Sequence, residues 1–205
     1  MLTLGFDTCL NKMYVALKND ETILANEVVE TTDTKYHSAF LISTIQKVLS
    51  QNNYKPENID LIAVNIGPGS FTGIRACVTV ARVMAQQLNI KAIGVSSLEI
   101  LAKINNSEKP TLVALDARKN SAYLFAEDTI QGAVLLEDIQ DKISKNDYFI
   151  ISDDKIKPIL GGISYQDCDK DLGKYLLEIA IEKSLNDDCD WRKLKPLYIQ
   201  PPPVS

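Results

Sequence analysis

The residues best placed to do chemistry lie in Gly67-Pro68-Gly69-Ser70-Phe71-Thr72-Gly73-Ile74-Arg75. Glycines adopt backbone angles that other residues avoid, and a loop opening a helix turns free N–H groups and the positive end of the helix dipole toward any anion in front of it. Arg75 would add a charge. Gly67, Gly69 and Gly73 are therefore candidate phosphate-binding residues. The string is not a P-loop, because no Lys-Ser or Lys-Thr follows the last glycine, and its G-x-G-x-x-x-G spacing is not the dinucleotide fingerprint. A tight strand-to-helix turn whose glycines permit close packing is the alternative, and the form of the motif favours it. His37 is the only histidine. One imidazole cannot hold a catalytic metal without further ligands, and none is grouped beside it; His37 is read as structural or as an interface residue. Cys9, Cys77, Cys168 and Cys189 form no C-x-x-C pair and are read as reduced thiols, with Cys77 in the core. No metal site and no catalytic residue is assigned.

The elements that position these residues follow from periodicity. Leu61 to Ile66 is the short apolar run of a strand buried on both faces, stopped by Gly67-Pro68-Gly69. Ser70 or Thr72 caps a helix from about Gly73 to Leu88. Ahead of this unit, Leu2–Asp7, Met13–Leu17 and Thr22–Val29 form an antiparallel meander. Tyr36, Phe40, Leu41, Ile45, Val48 and Leu49 recur at helical spacing from near Thr34 to Ser50, and Ala39 and Ile42 widen that apolar stripe. The next helix carries Ile74, Cys77, Val78, Ala81, Met84, Ala85 and Leu88 on one face and Ala76, Val80 and Val83 on a second. Two such helices in a small lobe suggest a docking face at 35–50 and 73–88. Lys91–Val95 is a further strand, and Ser96-Ser97-Leu98-Glu99 is a capping box that opens a helix to about Ile104. The polar stretch Asn105 to Pro110 marks the expected division into lobes 1–105 and 106–205. Beyond it, Thr111–Asp116 and Ser121–Ala126 read as a hairpin. Asp128 to Lys157 is charged and weakly patterned except for a strand at Tyr148–Ile151, and Leu172–Leu185 is an amphipathic helix. The tail is proline-rich.

Composition narrows the class. In 205 residues, 45% are hydrophobic and 24% charged, the balance of an ordinary globular protein. A formal net charge of −5 argues against a large non-specific nucleic-acid surface. No apolar run approaches the roughly 20 residues of a membrane span. The start lacks the basic region and cleavage site of a secretory signal, so a cytoplasmic protein is expected.

Taken whole, Gly67 to Arg75 resembles the signature of the TsaB (YeaZ) family, and Asp116-Ala117-Arg118 with Tyr123 and the closing Pro196-Leu197-Tyr198 resemble that family too. The resemblance implies an actin-like ATPase (ribonuclease-H-like) first lobe, with a mixed sheet and helices, and a reduced second α/β lobe. In nucleotide-binding members of that superfamily an aspartate at the place of Asp7 holds the metal; here the opening turn has no glycine, and a strand-end carboxylate bonding turn N–H groups is the favoured reading. The catalytic relatives carry two histidines at i and i+4, whereas the fourth residue after His37 is Leu41. The implied function is that of a non-catalytic subunit in the synthesis of N6-threonylcarbamoyladenosine in tRNA. It would pair with the transferase TsaD, be joined by the ATPase TsaE, form a homodimer when alone and meet tRNA only through partners. The expected interface comprises Tyr36, Ala39, Phe40, Ile42, Ser70, Phe71, Ile74, Arg75, Ala76, Cys77, Val80, Ala81 and Met84. No cofactor of its own is expected, although ATP or ADP at an interface shared with the partner remains open through Asp7 and the loop glycines. The alternatives are a nucleotide-dependent enzyme of the actin-like superfamily and, less well supported with one histidine, a glycoprotease-like peptidase.

Overall fold

The computed structural model describes residues 1–30, 37–168, 171–185 and 189–199, apart from the side chains of residues 37 and 38. In chain order the elements are β1 (Leu2–Asp7), β2 (Met13–Asn19), β3 (Thr22–Val29), α1 (His37–Gln51), β4 (Leu61–Asn65), α2 (Phe71–Leu88), β5 (Lys91–Val95) and α3 (Ser97–Ala102). There follow β6 (Thr111–Arg118), β7 (Ser121–Ala126), β8 (Thr129–Leu135), α4 (Leu136–Lys145), β9 (Phe149–Ser152), α5 (Lys157–Leu160), β10 (Ile163–Ser164) and α6 (Leu172–Ser184). They form two compact units, one of Met1–Ser97 with Asp171–Leu197 and one of Leu98–Lys170 with Tyr198–Ser205.

The first unit holds a five-stranded sheet in the order β3-β2-β1-β4-β5. The meander β1-β2-β3 is antiparallel, and β4 and β5 run parallel to β1. Side chains alternate across β1. Leu2, Leu4 and Phe6 join Leu41, Ile45, Val48 and Leu49 of α1 and Ile74, Cys77, Val78, Ala81 and Ala85 of α2 in one core. Gly5, between them in sequence, faces the other way, where a Cβ would press on Leu177 of α6. The expected division after residue 105 is therefore corrected. The cut falls after Ser97, and the chain returns α6 to the first sheet because the second face of that sheet is apolar and must be covered.

The second unit carries the sheet β10-β9-β6-β7-β8. Its hairpin β6–β7 turns through Arg118, Lys119 and Asn120, all at positive φ. The stretch expected to be weakly patterned contains two elements, β8 and α4. β8 sits at the sheet edge, mostly exposed and with no residue fully buried, so it has no buried face to impose alternation. α4 buries only Leu136 and Ile139, a stripe too narrow to stand out among charges. Among the described residues no helix is long and apolar enough to cross a membrane.

Candidate functional site

Because β1, β4 and β5 are parallel with Phe6 beside Val64 and Asn65 beside Val95, their C-terminal ends lie together. Open α/β sheets place ligands at such ends. Here they bring together Asp7, Asn65 and Ser97. The loop after β4 reaches back over the turn after β1. Ser70 donates its backbone N–H to the Cys9 carbonyl at 2.8 Å, and its side chain caps α2 by accepting from the Gly73 N–H at 3.3 Å. Ser70 rather than Thr72 is thus the cap, and α2 begins at Phe71.

The glycines admit the protein's own backbone. A Cβ on Gly69 would collide with the carbonyl of Cys9, and one on Gly73 with the carbonyl of Thr8. Gly67 takes φ +100°, and a Cβ there would meet Ile74 at 2.7 Å. Of the candidate phosphate-binding glycines, Gly69 and Gly73 thus let the opening turn approach the loop and α2, while Gly67 lies against Ile74. Asp7 is 2% exposed. Its Oδ1 accepts from the Cys9 N–H and its Oδ2 from Asn65 Nδ2 at 2.9 Å. Burial pushes its carboxyl above the ordinary value, and the hydrogen bonds from Cys9 and Asn65 pull only partly against it. This is a strand-end carboxylate stitching a turn.

Asn65 is the residue that sequence reading missed. Fully buried, it donates to Asp7, while its Oδ1 accepts from the Gly67 N–H at 2.8 Å and from Ser97 Oγ at 2.9 Å. One amide therefore ties the ends of β1 and β4 to the starts of the glycine loop and α3. The only signal was an amide at the end of an otherwise apolar strand. The fold also brings Asp7, Cys9 and Cys77 together, with ligand atoms within 4.8 Å of one another, all buried. These atoms are already engaged. Cys9 Sγ donates to the Asn65 carbonyl at 3.4 Å, and Cys77 Sγ accepts the Thr8 N–H at 3.1 Å. Thr8 Oγ1 donates to the Gly73 carbonyl at 2.8 Å and lies 3.2 Å from Cys77 Sγ. Burial pushes the Cys9 thiol well up, so it is neutral and a poor nucleophile.

The outer side of the helix pair is the second feature. On α1, Ala39, Phe40 and Ile42 are exposed, the last two at 45% and 58%. On α2, Phe71 and Val83 are 42% and 54% exposed, Arg75 is exposed and Ser70, Ala76, Val80 and Met84 are half-buried around them. The Arg75 guanidinium lies 3.9 Å from the centroid of the Phe71 ring. Three expected interface residues need correction. Ile74, Cys77 and Ala81 are 3%, 0% and 0% exposed and belong to the core, because α2 turns its 74-77-78-81-85 stripe to the sheet. Tyr36 lies outside the described residues, as do the expected first residues of α1 before His37.

Strand order, the parallel ends gathered around a buried aspartate and the helices on both faces define the first unit as an actin-like, ribonuclease-H-like α/β lobe. The family model described as TsaD, tRNA N6-adenosine threonylcarbamoyltransferase, matches residues 22–155. The protein of Bacillus subtilis named tRNA threonylcarbamoyladenosine biosynthesis protein TsaB is 30% identical over 164 residues, 78% of this chain and 69% of that one. Its namesake from Buchnera aphidicola of Schizaphis graminum is 26% identical over 157 residues, 70% of this chain and 73% of that one. The solved structure of YeaZ from Pseudomonas aeruginosa has the same fold, with a TM-score of 0.77 at 20% identity over 96% of this chain and 99% of that one. The chain belongs to the TsaB (YeaZ) family.

Proposed function

We propose that the chain acts in the synthesis of N6-threonylcarbamoyladenosine in tRNA as a non-catalytic docking subunit, which holds a TsaD-type transferase against the outer side of α1 and α2. The observation that carries this reading is the exposure of large apolar side chains on both helices. Phe40, Ile42, Phe71 and Val83 stand on two helices that pack against each other. Large exposed apolar clusters on otherwise polar surfaces are docking sites, and paired helices dock by interleaving such ridges. The relatives named for threonylcarbamoyladenosine synthesis support the pathway. The state of Asp7, buried with both oxygens bonded within the protein, supports the non-catalytic part.

The test is capture of the TsaD-type transferase from the same organism by this chain, with size-exclusion chromatography and light scattering, before and after Ile42→Asp. We expect a stable complex from the wild type and none from the variant, with unchanged circular dichroism. A folded Ile42→Asp protein that still captures the transferase overturns the assignment of the face. Steady ATP hydrolysis by the purified chain alone overturns the non-catalytic reading.

A further inference from the structure

The outermost strands of the two sheets are β3 and β5 in the first and β10 and β8 in the second. An edge strand offers unpaired N–H and C=O groups to any extended chain, and most edges are guarded by charge, by cover or by shortness. β3 carries Glu27, paired with Lys47 of α1. β5 is covered by the returning chain, where the Ala92 N–H donates to the Cys189 carbonyl at 3.2 Å. β10 is two residues long. β8 has none of these guards. Its seven residues contain no charge and no proline, Ile130 and Leu135 are 38% and 45% exposed, and among the described residues no strand lies on its far side. Its ladder to β7 slips once, between Leu124 and Phe125, and is regular from Gly132 to Leu135. Residues of an antiparallel pair alternately turn their backbone groups toward the partner and away from it. The Leu136 N–H donates to the Asn120 carbonyl at 3.0 Å, on the β7 side, so Leu135 and Ala133 turn theirs to the open edge.

We propose that the open edge of β8 takes up an extended segment of another protein, uncharged in the middle and basic at both ends, which pairs as a sixth strand. This contact is additional to the one assigned to α1 and α2. Charge decides the occupant. Asp128 precedes β8, and Glu137 and Asp138 follow it in the first turn of α4, all three exposed, while Glu127 is paired with Lys142. Two copies joined edge to edge, in either orientation, would set acid against acid at both ends, and like charges brought together at a contact reject a partner. The chain's own tail suits the ladder poorly. Ile199 reaches Gly132, where an added Cβ would meet its Cγ2 at 3.9 Å, but Pro201, Pro202 and Pro203 have no N–H to give. Gln200 to Ser205 lie outside the described residues. In such strand addition the main-chain bonds supply affinity, here through Ala133 and Leu135, and flanking groups supply the choice of partner.

The experiment titrates the full chain, isotope-labelled for NMR, with two probe peptides. One alternates threonine and valine and carries two lysines at each end. The other has glutamates in place of the lysines. We expect the lysine peptide to bind at least fivefold more tightly at low salt and the difference to shrink in 0.5 M NaCl, where surface charges are screened. Amide hydrogen exchange at Ala133 and Leu135 should slow at least threefold when it binds. Leu135 has φ −63° and ψ 142°, a conformation proline adopts, so Leu135→Pro removes an outward N–H and leaves the bonds to β7 in place. That variant should bind the lysine peptide at least tenfold more weakly with unchanged circular dichroism. Ala133→Pro removes the other outward N–H and serves if Leu135→Pro does not fold. No binding of the lysine peptide at millimolar concentration overturns the proposal. So do affinities of the two peptides within twofold of each other, or a folded proline variant within twofold of the wild type. Self-association of the chain that Leu135→Pro abolishes assigns the edge to a second copy instead. Peptide binding that appears only after residues 200–205 are removed assigns it to the tail. Either result also overturns the proposal.

Discussion

Along the inner side of α2, Ile74, Cys77, Val78, Ala81 and Ala85 are at most 4% exposed, while along its outer side Phe71 and Val83 are 42% and 54% exposed. Both sides are apolar, and both lie on one 18-residue helix. The inner side is small where the helix meets the sheet and the opening turn, and its polar atoms are satisfied within the protein: Cys77 by Thr8, and the Gly73 carbonyl by the Thr8 hydroxyl. The outer side is bulkier, with an oriented arginine and no acidic group. An apolar helix surface thus has two meanings. One side stabilises the lobe itself, and the other is the side proposed to dock a partner.

Substitutions that break this comparison most severely belong on the inner side. Ala81→Arg puts an unpaired charge and a long side chain where nothing is exposed, and should cost at least about 3–5 kcal/mol. Chemical denaturation should find the variant largely unfolded. A folded variant with a wild-type midpoint would mean that Ala81 faces outward after all.

Asn65→Ala comes next. It removes the donor to Asp7 and the acceptor for Gly67 N–H and Ser97 Oγ, all in a buried place. Each buried polar group left without a partner costs about 1–3 kcal/mol, so a loss of roughly 3 kcal/mol is expected. Urea midpoints measure it, and a loss below about 1 kcal/mol would show that the network adds little to the wall behind α2.

Asp7→Asn gives a smaller effect with a pH signature. The folded-state carboxyl of Asp7 is raised above its ordinary value by burial. A raised folded pKa means stability that is fully present below the unfolded value, about 3.9, and is lost as pH rises through the folded value. The asparagine variant lacks this dependence. The wild type's advantage over it should therefore be largest near pH 4 and shrink toward neutrality. Thermal melts of both proteins across that range check the sign, and a gap that widens with pH contradicts it.

The smallest effect on folding is expected on the outer side. Val83→Asp should move the unfolding free energy by no more than about 0.5 kcal/mol, because the side chain is already in water. The same change should abolish capture of the transferase in a pull-down. A large loss of stability here would erase the distinction between the two sides of the helix.

Much of this was legible in the chain itself. The strands β1, β2, β3, β4 and β5, both long helices of the first unit and a cap at Ser70 or Thr72 follow from local periodicity and turn chemistry, which depend on residues a few positions apart. The preference for packing over phosphate binding at Gly67, Gly69 and Gly73 came from a spacing that fits neither the P-loop nor the dinucleotide fingerprint. Other features were decided only in three dimensions. Which apolar stripe of α2 faces the sheet depends on the angle at which the glycine loop delivers the helix; the local pattern separates the face of Ala81 from that of Val83 without saying which of them turns inward. The return of α6 to the first sheet depends on the uncovered far face at Gly5, and the roles of Asn65 and Thr8 depend on β1 and β4 lying side by side. Those pairings join residues 58 and 69 positions apart. The sequence by itself determined the elements and the residue types available. Tertiary contacts decided which polar groups were taken out of water together, because the cost of burying them is set by what the fold places within hydrogen-bonding distance.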